Sequence, residues 1–196
     1  GLREGSKRRV DADTDGFISL SIKEAVKNCD IISILIPDQV MGEVYQKHIK
    51  SNIKEGQTLL FSHGYNIHYG VIQPPGFINV ILAAPSGAGL EVRKQYESGR
   101  GIPGLIAVHQ DYTGSSFDLV LSYSKAIGLT RLGVFKSTFK EETETDLFGE
   151  QVILTGGIPK LIQSSYKVLL ESGYSPMTAW FVCYYEIKTI VDLFHS

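Results

Sequence analysis

A parallel α/β domain followed by an all-helical one is the fold class this sequence predicts, and three observations predict it. Up to about residue 136, short apolar runs of strand length alternate with helical patterns, as βαβ units require. From Thr138 onward only helical periodicity remains. The composition, 43% hydrophobic and 20% charged over 196 residues, suits a substantial buried core. A boundary near Lys136 divides the chain into an α/β region, 1–136, and a helical region, 137–196.

Each element has its own signal. Ser21-Ile22-Lys23-Glu24 has the form of a capping box and opens a helix through about Asn28. The apolar run Ile31 to Ile36 reads as a buried strand that ends at Pro37-Asp38, and Val40 to Ile49 as the next helix. Thr58 to Phe61 is a strand running into Ser62-His63-Gly64, and Asn79 to Ala84 is one running into Pro85-Ser86-Gly87. Leu105 to Val108 is a further strand, Phe117 to Ile127 a helix, and Arg131 to Phe135 a last short strand. Beyond the boundary, helices are expected over Phe139–Gly149, Ile158–Ser172 and Pro176–Phe194. There is no internal repeat.

Charge and cysteine content exclude several classes. The net charge is −2, and no Lys/Arg cluster is interleaved with aromatics, so nucleic acid is not an expected partner. No apolar segment is long enough to span a bilayer and no leader-like segment opens the chain, so a soluble, cytoplasmic protein without a membrane partner is expected. Cys29 and Cys183 lie far apart and form no CxxC pair, which predicts buried thiols in a reducing compartment rather than a disulfide or zinc site.

Candidate chemistry lies at strand ends and in one acidic run. Ligands of open α/β sheets gather at the carboxyl ends of strands, which places His63 and Ser86 where chemistry would be done. A histidine beside Gly64 can act as general acid or base near neutral pH. In Thr143-Glu144-Thr145-Asp146-Leu147-Phe148-Gly149-Glu150, Asp146 and Glu150 stand four apart and share a helix face, since Thr138-Phe139-Lys140-Glu141 can open a helix just upstream. Paired carboxylates suit magnesium, which keeps several waters and needs few protein ligands. The alternative is an exposed acidic face on which Glu141, Glu142 and Glu144 complement the helix dipole.

Phe61-Ser62-His63-Gly64-Tyr65-Asn66-Ile67-His68-Tyr69, Ala84-Pro85-Ser86-Gly87-Ala88-Gly89 and Glu141 to Glu150, in that order, resemble the ketol-acid reductoisomerase family. Gly1-Leu2-Arg3-Glu4-Gly5-Ser6-Lys7, Pro37-Asp38 with Val44-Tyr45, Ile106 to Asp111 and Ile190-Val191-Asp192-Leu193 extend the resemblance over essentially the whole chain. It implies an NADP-binding Rossmann-type domain lacking its first strand and Gly-rich turn, since no G-x-G-x-x-G is present. It also implies part of the family's knotted helical domain, so the chain is expected to be shortened at both ends.

The resemblance implies a reaction: magnesium-dependent alkyl migration and NADPH reduction of 2-acetolactate or 2-aceto-2-hydroxybutyrate, in valine, isoleucine and leucine biosynthesis. It assigns His63 to catalysis and Arg3, Ser6, Lys7, Arg8, Pro37 and Asp38 to the cofactor, the cations and hydroxyl suiting a 2′-phosphate. Asp146, Glu150 and Glu186 become metal ligands, while His68 and His109 read as packing residues. Two departures bear on chemistry. Ser86 stands where the family has lysine, and Val182 stands where it has a second glutamate paired with Glu186, so the second of two magnesium ions should bind weakly or not at all. Tyr185 also replaces a histidine. The expected partners are a small ketol acid and further subunits, either in a homo-oligomer or in a mixed oligomer where this chain is a non-catalytic paralogue.

Overall fold

The computed structural model describes residues 1–194, in two compact units, Gly1–Thr143 and Glu144–Ser196. Residues 195 and 196, the last of the helical region expected over 137–196, lie outside the described residues.

The first unit is built on a five-stranded sheet whose order follows the chain: β1 Ile31–Ile34, β2 Thr58–Phe61, β3 Asn79–Pro85, β4 Gly104–Gln110 and β5 Val134–Lys136. Strands β1, β2 and β3 are parallel, with Ile34 opposite Phe61 and Phe61 opposite Leu82. Leu59, Leu60, Phe61, Ile81 and Leu82 are fully buried. They alternate between faces: Leu59, Phe61 and Leu82 pack with Met41, Tyr45 and Ile49, whereas Leu60 and Ile81 pack with Val120. Burial on both faces is why these strands read as unbroken apolar runs.

Around the sheet lie α1 Arg8–Thr14, α2 Ile22–Asn28, α3 Asp38–Val44, α4 Tyr65–His68, α5 Gly89–Glu97 and α6 Ser116–Ala126. The box at Ser21 forms in full: the Glu24 amide donates to the Ser21 hydroxyl at 3.3 Å and the Ser21 amide to the Glu24 carboxylate at 2.9 Å. Helix α3 runs on into a π turn, Tyr45–Ile49. Helices α1, α4 and α5 are additions to the sequence reading. Neither α1 nor α5 buries a residue, so neither carries an apolar stripe to read, and α4 is a single turn.

The last two strands differ in direction from the parallel βαβ expectation. Strand β4 runs antiparallel to β3, with Gly104 opposite Pro85, and β5 follows β4 in parallel. The chain leaves β3, makes α5 and re-enters the sheet at the end it left, so the next strand must run back. Hydrophobic alternation reports a strand but not its direction.

Helix α7, Phe139–Gly149, starts in the first unit and continues into the second, where it passes into a π turn, Glu150–Leu154. There follow α8 Gly157–Glu171, α9 Pro176–Trp180, a π turn Phe181–Tyr185 and α10 Ile187–Leu193. The single helix expected over 176–194 is thus two helices joined by that turn. Among the described residues of this unit Ala179 alone is buried. Its contacts are ring on ring, Tyr166 against Tyr184 and Trp180 against Phe181 and Tyr185. Both cysteines depart from the expected burial. Cys29 is exposed where α2 ends, and Cys183 is half-buried in the π turn Phe181–Tyr185. Among the described residues, no helix is long and apolar enough to cross a membrane.

Candidate functional site

His63 sits just beyond the carboxyl end of β2, before α4. Its Nδ1 lies 2.9 Å from Glu142 Oε1 on α7, with the histidine side chain 21% and the glutamate side chain 5% exposed. Glu142 Oε2 accepts the Gly64 amide at 2.7 Å and the Thr143 hydroxyl at 3.3 Å. One carboxylate therefore orients the imidazole and fixes the loop that carries it. An acceptor at Nδ1 selects the tautomer protonated there.

Gly64 makes this approach possible. A Cβ at that position would lie 2.5 Å from Thr143 Oγ1 and 2.7 Å from the Phe139 carbonyl. No side chain larger than hydrogen fits between loop and helix.

Glu142 is the functional residue that the sequence reading passed over, grouping it with Glu141 and Glu144 on an exposed face; it is 4% exposed. The signal lay in the helical phase. Phe139, Glu142 and Thr143 are spaced three and four apart, and all three are buried. The Thr138 hydroxyl accepts the Glu141 amide at 3.0 Å, starting α7 where the capping signal placed it, while the Glu141 carboxylate accepts the Ser137 hydroxyl.

His68 packs at a tilt against Tyr69, and His109 packs edge-on against Phe139. Together with Thr138 and Lys140 they line a cavity of about 300 Å³ at the start of α7. Burial holds the His109 imidazole below its usual range, favouring the neutral ring.

The cofactor candidates fall on two loops. Leu2 pairs with Ser21 in an isolated parallel bridge, the Ser6 amide donates to the Arg3 carbonyl, and α1 begins at Arg8. Arg3, Lys7 and Arg8 are exposed and Ser6 is half-buried; Arg8 forms an exposed pair with Asp11 at 3.3 Å. Pro37 and Asp38 open α3 at the carboxyl end of β1, the strand beside β2. There the Asn66 amide donates to the Asp38 carboxylate at 2.8 Å and to its carbonyl at 3.3 Å. Ser86 is exposed after β3, its amide donating to the Pro103 carbonyl. The carboxyl ends of β1, β2 and β3 thus present Pro37-Asp38, His63 and Ser86 along one rim of the sheet.

The metal candidates lie in the second unit. Asp146 is exposed on α7, Glu150 half-buried at the first position of the π turn that extends it, and Glu186 exposed at the end of the later π turn. Val182 is 52% exposed within that later turn. Carboxylate oxygens are the donors a hard cation takes, so Asp146 and Glu150 fit magnesium chemically, whereas Val182 supplies nothing to pair with Glu186. Each candidate set abuts a π turn, an element common at functional sites.

Comparison with known proteins covers the whole chain. Residues 1–133 match the family model "Acetohydroxy acid isomeroreductase, NADPH-binding domain", and residues 139–196 match "Ketol-acid reductoisomerase, C-terminal domain". The chain is 53% identical over its full length to a ketol-acid reductoisomerase (NADP(+)) of Petrotoga mobilis and 52% identical to one of Methanopyrus kandleri. It spans 59% and 60% of those relatives' lengths. A solved NADH-preferring ketol-acid reductoisomerase from an uncultured archaeon superposes with a TM-score of 0.93 at 42% identity, over 98% of this chain and 59% of that one. A putative oxidoreductase from Jannaschia, at 10% identity and a TM-score of 0.78, shares the fold.

Proposed function

The chain belongs to the ketol-acid reductoisomerase family, and we propose that it contributes to that family's reaction, magnesium-dependent alkyl migration followed by NADPH reduction of 2-acetolactate or 2-aceto-2-hydroxybutyrate. This places it in branched-chain amino acid synthesis, in the cytoplasm, as a subunit of an oligomer. The observation that carries the reading is the His63–Glu142 contact at the carboxyl end of β2.

In this reading His63 holds or passes a proton, while Glu142 keeps Nδ1 protonated and the ring aimed. Glu142 has its oxygens engaged by His63, Gly64 and Thr143. We therefore assign the first ion to Asp146 and Glu150, with Glu186 left to a weak second position. Magnesium, when bound, supplies Lewis-acid polarisation of the ketol oxygens. Arg3, Ser6 and Lys7 would receive the 2′-phosphate of NADPH, the guanidinium as a two-pronged donor; Arg8 follows them at the start of α1, and Pro37-Asp38 would border the dinucleotide. The exposed positions of Arg3 and Lys7 fit that role.

A second reading rests on Ser86 and Val182, which remove a cation and a ligand: the chain is a non-catalytic paralogue that assembles with complete subunits. Neither residue can supply a positive charge or a carboxylate oxygen.

Magnesium-dependent NADPH oxidation by the purified chain with 2-acetolactate, set beside Asp146→Ala, decides between them. Turnover that the substitution abolishes supports the enzymatic reading. Turnover absent in both, and not restored by Ser86→Lys with Val182→Glu, supports the paralogue, whereas restoration marks a decayed enzyme.

A further inference from the structure

We infer that Asn66 is a positioning residue that joins the Pro37-Asp38 loop to the His63 loop, so that occupancy of the first is felt at the second. The inference rests on the reading of Pro37-Asp38 as a cofactor loop and of His63 as the reactive histidine. Asn66 follows His63 by three residues on the single turn α4 and is fully buried. Its amide nitrogen reaches two oxygens of one residue, the Asp38 carboxylate at 2.8 Å and carbonyl at 3.3 Å. Its own carbonyl accepts the Ile72 amide at 2.9 Å, which closes the turn behind it.

The chemistry fixes the amide's orientation. Turned over, it would set its oxygen against two acceptor oxygens of Asp38, so the nitrogen must face them. Asn66 Oδ1 then points to a place where it has no hydrogen-bond partner. A buried acceptor left unpaired is unfavourable, and an apolar side chain of equal size would avoid it. The amide is needed for what its nitrogen holds.

Packing makes the joint stiff. A Cβ on Gly42 of α3 would lie 2.7 Å from a Val71 methyl, so α3 and the segment following α4 are in close apposition. With Ile34 beside Phe61 in register, the two loops leave neighbouring parallel strands at the same level. Movement of Asp38 is therefore passed to α4, and through Gly64 to His63, whose other side Glu142 holds.

The test is NMR of the full chain, following the His63 imidazole resonances, assigned with His63→Gln, as NADPH is added. NADPH should shift them in the unaltered chain. Asn66→Leu should bind NADPH and lose that shift, and Asn66→Asp combined with Asp38→Asn, which exchanges donor and acceptor, should regain at least about half of it. If Asn66→Leu fails to fold, Asn66→Ala cuts the same bond and should likewise bind NADPH and lose the shift. A shift that persists undiminished in the variant that cuts the bond overturns the inference, because the cofactor then reaches His63 by itself. NADPH binding that leaves His63 unmoved in the unaltered chain also overturns it. Failure of the unaltered chain to bind NADPH overturns the cofactor reading, and the inference falls with it.

Discussion

The two units of this chain hold their side chains by different means. In the first, Leu59, Leu60, Phe61, Ile81 and Leu82 are wholly removed from water, and the loops that carry His63 and Ser86 spring from the ends of those same strands. In the second, Ala179 is the one buried residue among those described, while Phe148, Leu161, Tyr185 and Phe194 are each more than 60% exposed. The difference teaches that His63 and Glu142 owe their placement to a core the chain builds for itself. Glu150 and Glu186 stand on helices whose apolar faces this chain does not cover.

The comparison can be broken most decisively by truncating one apolar side chain in each unit. Phe61→Ala should lower the unfolding free energy by about 3–5 kcal/mol, the usual cost of emptying an aromatic site in a packed core. Leu161→Ala, at a position 67% exposed, should change it by no more than about 0.5 kcal/mol. Denaturant melts of both variants provide the check. A Leu161 effect that grows with protein concentration would show that face to be covered on association.

A smaller effect sharpens the account of the first unit. Glu142→Ala leaves the buried Gly64 amide and the His63 ring without their acceptor and should cost about 2–3 kcal/mol. Glu142→Gln keeps an acceptor for Gly64 and should cost about 1 kcal/mol. Equal losses in the two variants would sink the claim that this carboxylate fixes the loop.

The smallest effect expected is on pH dependence. His109 titrates below its ordinary value of 6.5 in the folded chain because burial disfavours the charged ring. As pH falls below that value the unfolded chain takes up the proton first, so stability declines with acidity and is level above it. His109→Gln should flatten the slope of Tm against pH between about pH 7 and about pH 5, within the histidine titration range. An unchanged slope would assign the acid sensitivity to other groups.

Sequence legibility followed burial. Strand β2 was readable to the residue because it is apolar on both faces and bounded by polar turns. Helices α1 and α5 bury nothing, so no periodic signal existed for them, and the direction of β4 is set by a return path that alternation does not encode. At the site, His63 was visible from its place beyond a strand. Glu142 was not, because it shares its chemistry with Glu141 and Glu144, and only its phase relative to Phe139 separates it from them. Asn66 is one residue among nine in the family-like segment, and its partner lies 28 positions away. Cys29 was expected inside because free thiols generally are, yet it falls where a helix ends at the surface.

The reversed direction of β4 has a practical use. It carries the segment after Gln110 to the end of the sheet opposite His63, where Asn79 Oδ1 accepts the Tyr112 and Thr113 amides at 2.9 and 3.0 Å. A strand's length, roughly 20 Å, separates that loop from the rim bearing His63. Exposed Tyr112 is consequently a suitable attachment point for a fluorophore or a surface tether, far enough away to report on the chain while leaving the rim that bears His63 unobstructed.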